Sequence, residues 1–101
     1  MAKLTYDEAL QALNEERCID KEDVQARALR RKVWVSMNGL GGYMPNSRGV
    51  SRTKEGAIES CVCVAGDDAP RGFVSELRRT GSADSQGETY EVYPLTLSEL
   101  F

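Results

Sequence analysis

KVWVSM, residues 32–37, is the stretch on which the fold turns. Val33, Val35 and Met37 alternate with Trp34 and Ser36, the period of a strand with one buried face. Directly after it, NGLGGYMPNSRG (38–49) packs four glycines, a proline and two asparagines into twelve positions. Asn38-Gly39 predicts a type I′ turn that ends the strand, because both central positions of that turn need positive φ. Gly41, Gly42, Pro45 and Asn46 add further turn chemistry. The glycines spell neither nucleotide motif. From Gly39 and Gly41 the third position of a dinucleotide fingerprint is Met44, and Pro45 blocks an immediate helix. A P-loop would need a glycine followed by Lys-Ser/Thr, whereas Lys54 follows Thr53 and precedes Glu55. The segment therefore reads as a turn-built loop, and Leu40, Tyr43 and Met44 on it either fold back onto the core or meet a partner.

Toward the N-terminus, Thr5 and Glu8 form a capping box, and Tyr6, Leu10 and Leu13 recur at helical spacing, predicting a helix over about 6–16. Asp20 and Asp23 predict a second helix that ends near 31. Its staple is Ile19 and Val24, its stripe Val24, Ala28 and Leu29, and Arg30, Arg31 and Lys32 lie at its negative end. Toward the C-terminus, Thr53 caps a third helix through Ala65, stopped by Gly66, with Ala57, Ile58, Cys61, Val62 and Ala65 on one face. The β-branched CVCVA run (61–65) keeps a strand open there. Asp67 to Pro70, then Phe73, Val74, Leu77 and two arginines before Gly81, predict a fourth helix, which Gly72 weakens. TGSADSQGE (80–88) reads as a polar flexible loop. TYEVYPLTL (89–97) reads as a closing strand in which Pro94 argues for an edge or an end. The class is α+β: N-terminal helices, a small mostly antiparallel sheet and one or two further helices, in a single domain over 1–101.

Composition excludes several chemistries. The chain has no histidine, so it holds no Ser-His or Cys-His nucleophile pair and no His-containing zinc site. Cys18, Cys61 and Cys63 cannot close a Cys₄ site, and an odd count fits reduced, half-buried thiols in a cytosol. Glu15-Glu16 and Asp67-Asp68 read as solvated helix ends, not acid/base pairs. No cofactor, metal or catalytic residue is expected. No apolar run reaches the length of a membrane span and no apolar leader core opens the chain, so a cytoplasmic location with no membrane partner is expected.

Charge is the strongest signal. Residues 1–23 carry net −4 and residues 55–101 carry net −6, but 24–54 contain no acid and seven bases: Arg27, Arg30, Arg31, Lys32, Arg48, Arg52 and Lys54. Such segregation steers an acidic partner, protein or phosphate, unless it is neutralised within the chain or by a homodimer. Trp34 and Tyr43 in the same segment would suit base stacking, although a lone tryptophan is more often core.

The order VWVSMNGLGGYMPNSR, then TKEGAIES opening a helix, then YEVYPL as a late strand resembles short accessory proteins encoded by bacteriophages and prophages. In these a strand ending in a G-Y-[ML]-P-[ND]-S turn precedes a T-K-x-x-A-I helix and a terminal Y-E-V strand. The resemblance covers residues 33–95 and carries no catalytic residue. It implies a non-enzymatic binding protein that inhibits or modulates a host protein complex, anti-CRISPR inhibitors being among such proteins, and it would place the chain in the host cytosol. Tyr43, Met44, Arg48, Arg52, Arg27, Arg30, Arg31 and Lys32 are the candidate partner-binding residues. A small nucleic-acid-binding regulator using 24–54 is the alternative.

Overall fold

The computed structural model describes residues 2–40 and 47–101, the side chains at 40, 47, 48 and 68 excepted. The Thr5 capping box forms as its sequence demands: the Glu8 N–H donates to Thr5 Oγ1 at 3.3 Å and the Thr5 N–H to Glu8 Oε1 at 2.9 Å. These bonds hold the Glu8 carboxyl below its usual range. They start α1 (Tyr6–Asn14), which buries Tyr6, Ala9, Leu10 and Ala12.

The second helix does not run from 20 to 31. A 3₁₀ turn at Lys21–Asp23 is followed by extended backbone at Val24, and only one helical turn, α2 (Ala26–Leu29), remains. Val24 pairs in parallel with Leu4, the Leu4 N–H donating to Asp23 O at 2.7 Å and the Gln25 N–H to Leu4 O at 3.0 Å. Burying Val24 to 1% exposure is worth about 1.5–3 kcal/mol, more than the few tenths by which local propensity favours continuing the helix.

β1 (Lys32–Leu40), β2 (Ser47–Ser51), β3 (Ser82–Ser85) and β4 (Glu88–Thr96) form one antiparallel sheet in the order β2-β1-β4-β3. Between β2 and β3 run α3 (Lys54–Ala65) and α4 (Phe73–Thr80). Thr53 caps α3 by accepting from the Gly56 N–H at 3.0 Å, and Gly66, at φ 69°, ends it. CVCVA is helical, and the fold is α+β with four α-helices and a four-stranded antiparallel sheet among the described residues.

Two expectations about turns are corrected. Asn38 and Gly39 do not turn: they continue β1, opposite Tyr90 and Thr89 of β4, and the link to β2 lies past the Asn38–Ser47 pair. The nine-residue partner β4 outweighs the local turn preference of the dipeptide. Residues 82–85, read as flexible loop, form β3. The chain reverses there through Gln86 and Gly87 at φ 50° and 81°, the left-handed pair that a two-residue hairpin needs.

Pro94 sits inside β4 without breaking the ladder. The Val92 N–H donates to Gly81 O at 2.8 Å, away from β1. Pro94, two residues on, faces the same side past the start of β3, where no bond is lost.

The sheet separates two apolar clusters. On one face α1, α2 and the C-terminal turn pack Tyr6, Leu10, Val24, Val33, Val35 and Leu97. On the other α3 and α4 pack Ile58, Cys61, Phe73, Leu77, Tyr90 and Val92, with Phe73 edge-on to Tyr90 at 5.2 Å between ring centroids.

Candidate functional site

Antiparallel pairing brings the two ends of the acid-free segment together. β1 begins at Lys32, Ser51 of β2 lies opposite Trp34, and α3 starts at Lys54. Arg31 and Lys32 therefore meet Arg52 and Lys54 at one end of the sheet. The ammonium nitrogens of Lys32 and Lys54 stand 5.8 and 5.7 Å from the centre of the half-buried Trp34 ring. Lys54 is held there by donating to Arg78 O at 2.7 Å. Pro94, exposed, lies opposite Trp34 in the ladder.

Around the edge of the sheet, Tyr6 organises the arginines. Its hydroxyl donates to Lys32 O at 2.6 Å. Burial pushes its pKa above the ordinary value, while Arg31 and Arg52 pull the other way. Arg31 Cζ lies 3.9 Å above the Tyr6 ring centre and Arg52 Cζ 5.9 Å from it. Arg52 also pairs with Asp7 at 3.3 Å. Beside them Arg27 Nε donates to Gln25 Oε1 at 3.3 Å. Among the described residues, Arg27, Arg30, Arg31, Lys32 and Lys54 have no carboxylate in ion-pair contact. Among the described residues, Arg52 is the cation of the segment that forms an ion pair. The Arg78–Glu55 fork, at 2.8 and 2.9 Å, uses two residues outside the segment; it holds the Glu55 carboxyl below its usual range, and Lys54 lies close enough to help.

Among the described residues, the backbones of the candidate residues fall at two places along β1. Arg27, Arg30, Arg31, Lys32 and Arg52 share the basic end. Arg48 pairs with Met37, five residues along β1 from Lys32 and so roughly 17 Å away at strand spacing. Tyr43 and Met44 lie outside the described residues. Sequence reading left out Gln25 and Tyr6, which position arginines, and gave Trp34 and Lys54 no place among the partner-binding residues. The signal for Lys54 was present in its charge; that for Tyr6 was hidden by its place in a helical stripe.

A second feature is a cleft of about 190 Å³ between α3 and the sheet, lined in part by Ser36, Asn38, Ser60, Cys61, Val64 and Tyr90. Ser36 and Asn38 are each 6% exposed. Asn38 Nδ2 and the Tyr90 hydroxyl donate to the two Glu88 carboxylate oxygens at 3.3 and 3.4 Å. Burial pushes the Cys61 thiol up to about 11, so at neutral pH it is a packed thiol and not a nucleophilic thiolate. Cys63 and Cys18 are exposed. Among the described residues, no three cysteine, aspartate or glutamate side chains gather to hold a metal ion, and no helix is long and apolar enough to cross a membrane. Compared with known proteins, the chain matches no family model, no curated protein and no solved structure.

Proposed function

We propose that the protein is a non-enzymatic binding protein that docks through its basic end on an acidic surface of a partner protein complex. The role implied by its likeness to phage and prophage accessory factors is to inhibit or modulate a host assembly. The observation that carries this reading is the convergence of Lys32 and Lys54 on the half-buried Trp34. A half-buried aromatic flanked by two lysines that have no carboxylate in ion-pair contact among the described residues has the composition of an interface hot spot and steers an acidic surface toward it. Capture from a bacterial lysate, with and without nuclease, tests it. A protein partner retained after nuclease treatment and lost with Lys32→Glu/Lys54→Glu is expected; capture that this double variant leaves intact overturns the reading.

The same tryptophan between lysines favours one second reading, a nucleic-acid-binding regulator stacking a base on Trp34. That reading requires binding to fall steeply with salt, with a slope near −0.9 per phosphate neutralised on duplex DNA, and to disappear on nuclease treatment. The net charge of −3 opposes it.

A further inference from the structure

The groove between the start of α1 and α2 has a volume of about 330 Å³ and is lined by Thr5, Tyr6, Asp7, Gln25, Arg27, Ala28 and Arg31. Its two arginines are four residues apart and each is held by a neighbour. Arg31 is stacked on the Tyr6 ring at 3.9 Å, and Tyr6 is itself fixed by its bond to Lys32 O. Arg27 is tethered through Nε to Gln25. Stacking occupies the face of the Arg31 guanidinium and leaves its N–H edges for an acceptor, and the Gln25 bond leaves the two terminal nitrogens of Arg27 for another. Neither arginine has a carboxylate in ion-pair contact among the described residues. Asp7, the acid in the groove, is engaged by Arg52 on its own side.

We infer that this groove is a carboxylate-recognition site for an acidic segment of the partner protein, with Arg27 and Arg31 as the paired donors. Planar guanidinium forks match carboxylates bidentately. Asp7 disfavours a doubly charged phosphate more than a singly charged side chain. The groove is far larger than one carboxyl group, so it has room for the side chain and the adjoining peptide. The inference rests on the basic end being a protein-docking surface and names what one part of it reads.

A hexaglutamate peptide titrated into the intact protein at low ionic strength, followed by NMR of the arginine Nε–H signals and by calorimetry, tests it. Saturable binding is expected, with the Arg27 and Arg31 signals shifting. Arg27→Gln and Arg31→Gln should each weaken binding about tenfold, the scale of a lost charge-assisted bond, and Arg79→Gln, on α4, should leave it unchanged. Arg27→Gln removes no core contact, so it decides the matter even if Arg31→Gln perturbs Tyr6. No saturable binding, equal loss with Arg79→Gln, displacement of the peptide by equimolar inorganic phosphate, or tighter binding of a duplex DNA would each overturn the assignment. If the peptide fails while lysate capture still depends on Lys32 and Lys54, the groove assignment fails alone. If capture is indifferent to those lysines, the docking reading fails.

Discussion

The two faces of β1 are built from alternate residues of one strand and meet different surroundings. Val33 and Val35, both 0% exposed, press into the cluster under α1, where Leu10, Val24 and Leu97 close around them. On the opposite face Trp34 is flanked by lysines, Ser36 and Asn38 border the cleft, and the tight packing is supplied by β4 and β3 against α3 and α4. One face of this strand serves stability, while the other combines packing with exposed chemistry at its Lys32 end. The cation-flanked Trp34 packs against the margin of the second cluster, so on this face the same residue serves both packing and exposed chemistry.

The largest test of that contrast is made at the centre of each cluster. Leu97 on the α1 side and Leu77 on the α4 side are both 0% exposed. Truncation of either to alanine is expected to cost about 2–5 kcal/mol, through lost transfer energy and the cavity left behind. Because both clusters share β1 and β4, thermal unfolding should remain a single transition for each variant. Two separated transitions would show that the faces unfold independently and would break the comparison.

The cysteines sharpen it next. Cys61 and Cys63 are two residues apart, and the α-helical turn sends one inward and the other to solvent. Cys61→Ala should cost about 1–3 kcal/mol as a small core truncation, while Cys63→Ala should stay within about 0.5 kcal/mol. Of the three thiols expected to be half-buried, Cys61 is buried and Cys18 and Cys63 are exposed. Cys61 also gives a pH signature. Its folded pKa is raised from 9.0 to about 11, so the folded state keeps a proton that the unfolded chain releases. Its contribution is complete below about pH 9 and is lost as pH rises toward about 11. Alkaline denaturation followed by circular dichroism should show a smaller loss between about pH 9 and 11 in Cys61→Ala than in the parent, the part due to burial of the Tyr6 and Tyr90 hydroxyls remaining in both.

A third prediction concerns the sheet margin beside α1. The Asn14 amide pairs with the outward backbone of Val50, Nδ2 donating to the carbonyl and Oδ1 accepting from the N–H, each at 2.9 Å. It occupies the position of an added strand on the edge strand β2. Asn14→Ala should cost about 1–2 kcal/mol for the two lost bonds and leave that edge open to pairing with another chain. Sedimentation at rising concentration checks the second effect. A variant that is destabilised but stays monomeric at all concentrations would show that Asn14 anchors α1 without guarding the edge.

What the sequence disclosed follows from where the deciding interactions lie. The capping residues Thr5, Thr53, Gly66 and Gly81 act within one turn of themselves, so the helices they bound were legible, as was the alternation of residues 33–37. Val24 was misread because its extended backbone is set by Leu4, twenty residues away. Asn38-Gly39 was misread because β4, fifty residues on, holds it straight. β3 went unrecognised because its buried residues, Ala83 and Ser85, are too small and polar to mark a strand. For the candidate site, the seven cations were legible as a segment, but their division between the two ends of β1 is a property of the sheet register. Tyr6 and Gln25 became visible as positioning residues only once α1 and α2 were placed side by side.

The smallest expected effect lies on the polar face itself. Ser36 is buried, yet its Oγ reaches an acceptor only at 3.5 Å, the Gly49 carbonyl, a weak bond by distance. Valine at this position replaces the hydroxyl by a methyl group, loses little hydrogen bonding and adds a second methyl group where the cleft of about 190 Å³ has room. A bond of this length contributes little, so Ser36→Val should shift stability by no more than about 0.5 kcal/mol in either direction, the low end of a hydrogen bond's net worth. By contrast Val35→Ser, one residue away on the filled face, would leave a hydroxyl among apolar side chains and should cost about 1–3 kcal/mol from polar burial alone. Parallel urea denaturation of the two variants measures the difference directly. Equal losses would mean that both faces of β1 are packed alike, and the division of labour along this strand would have to be abandoned.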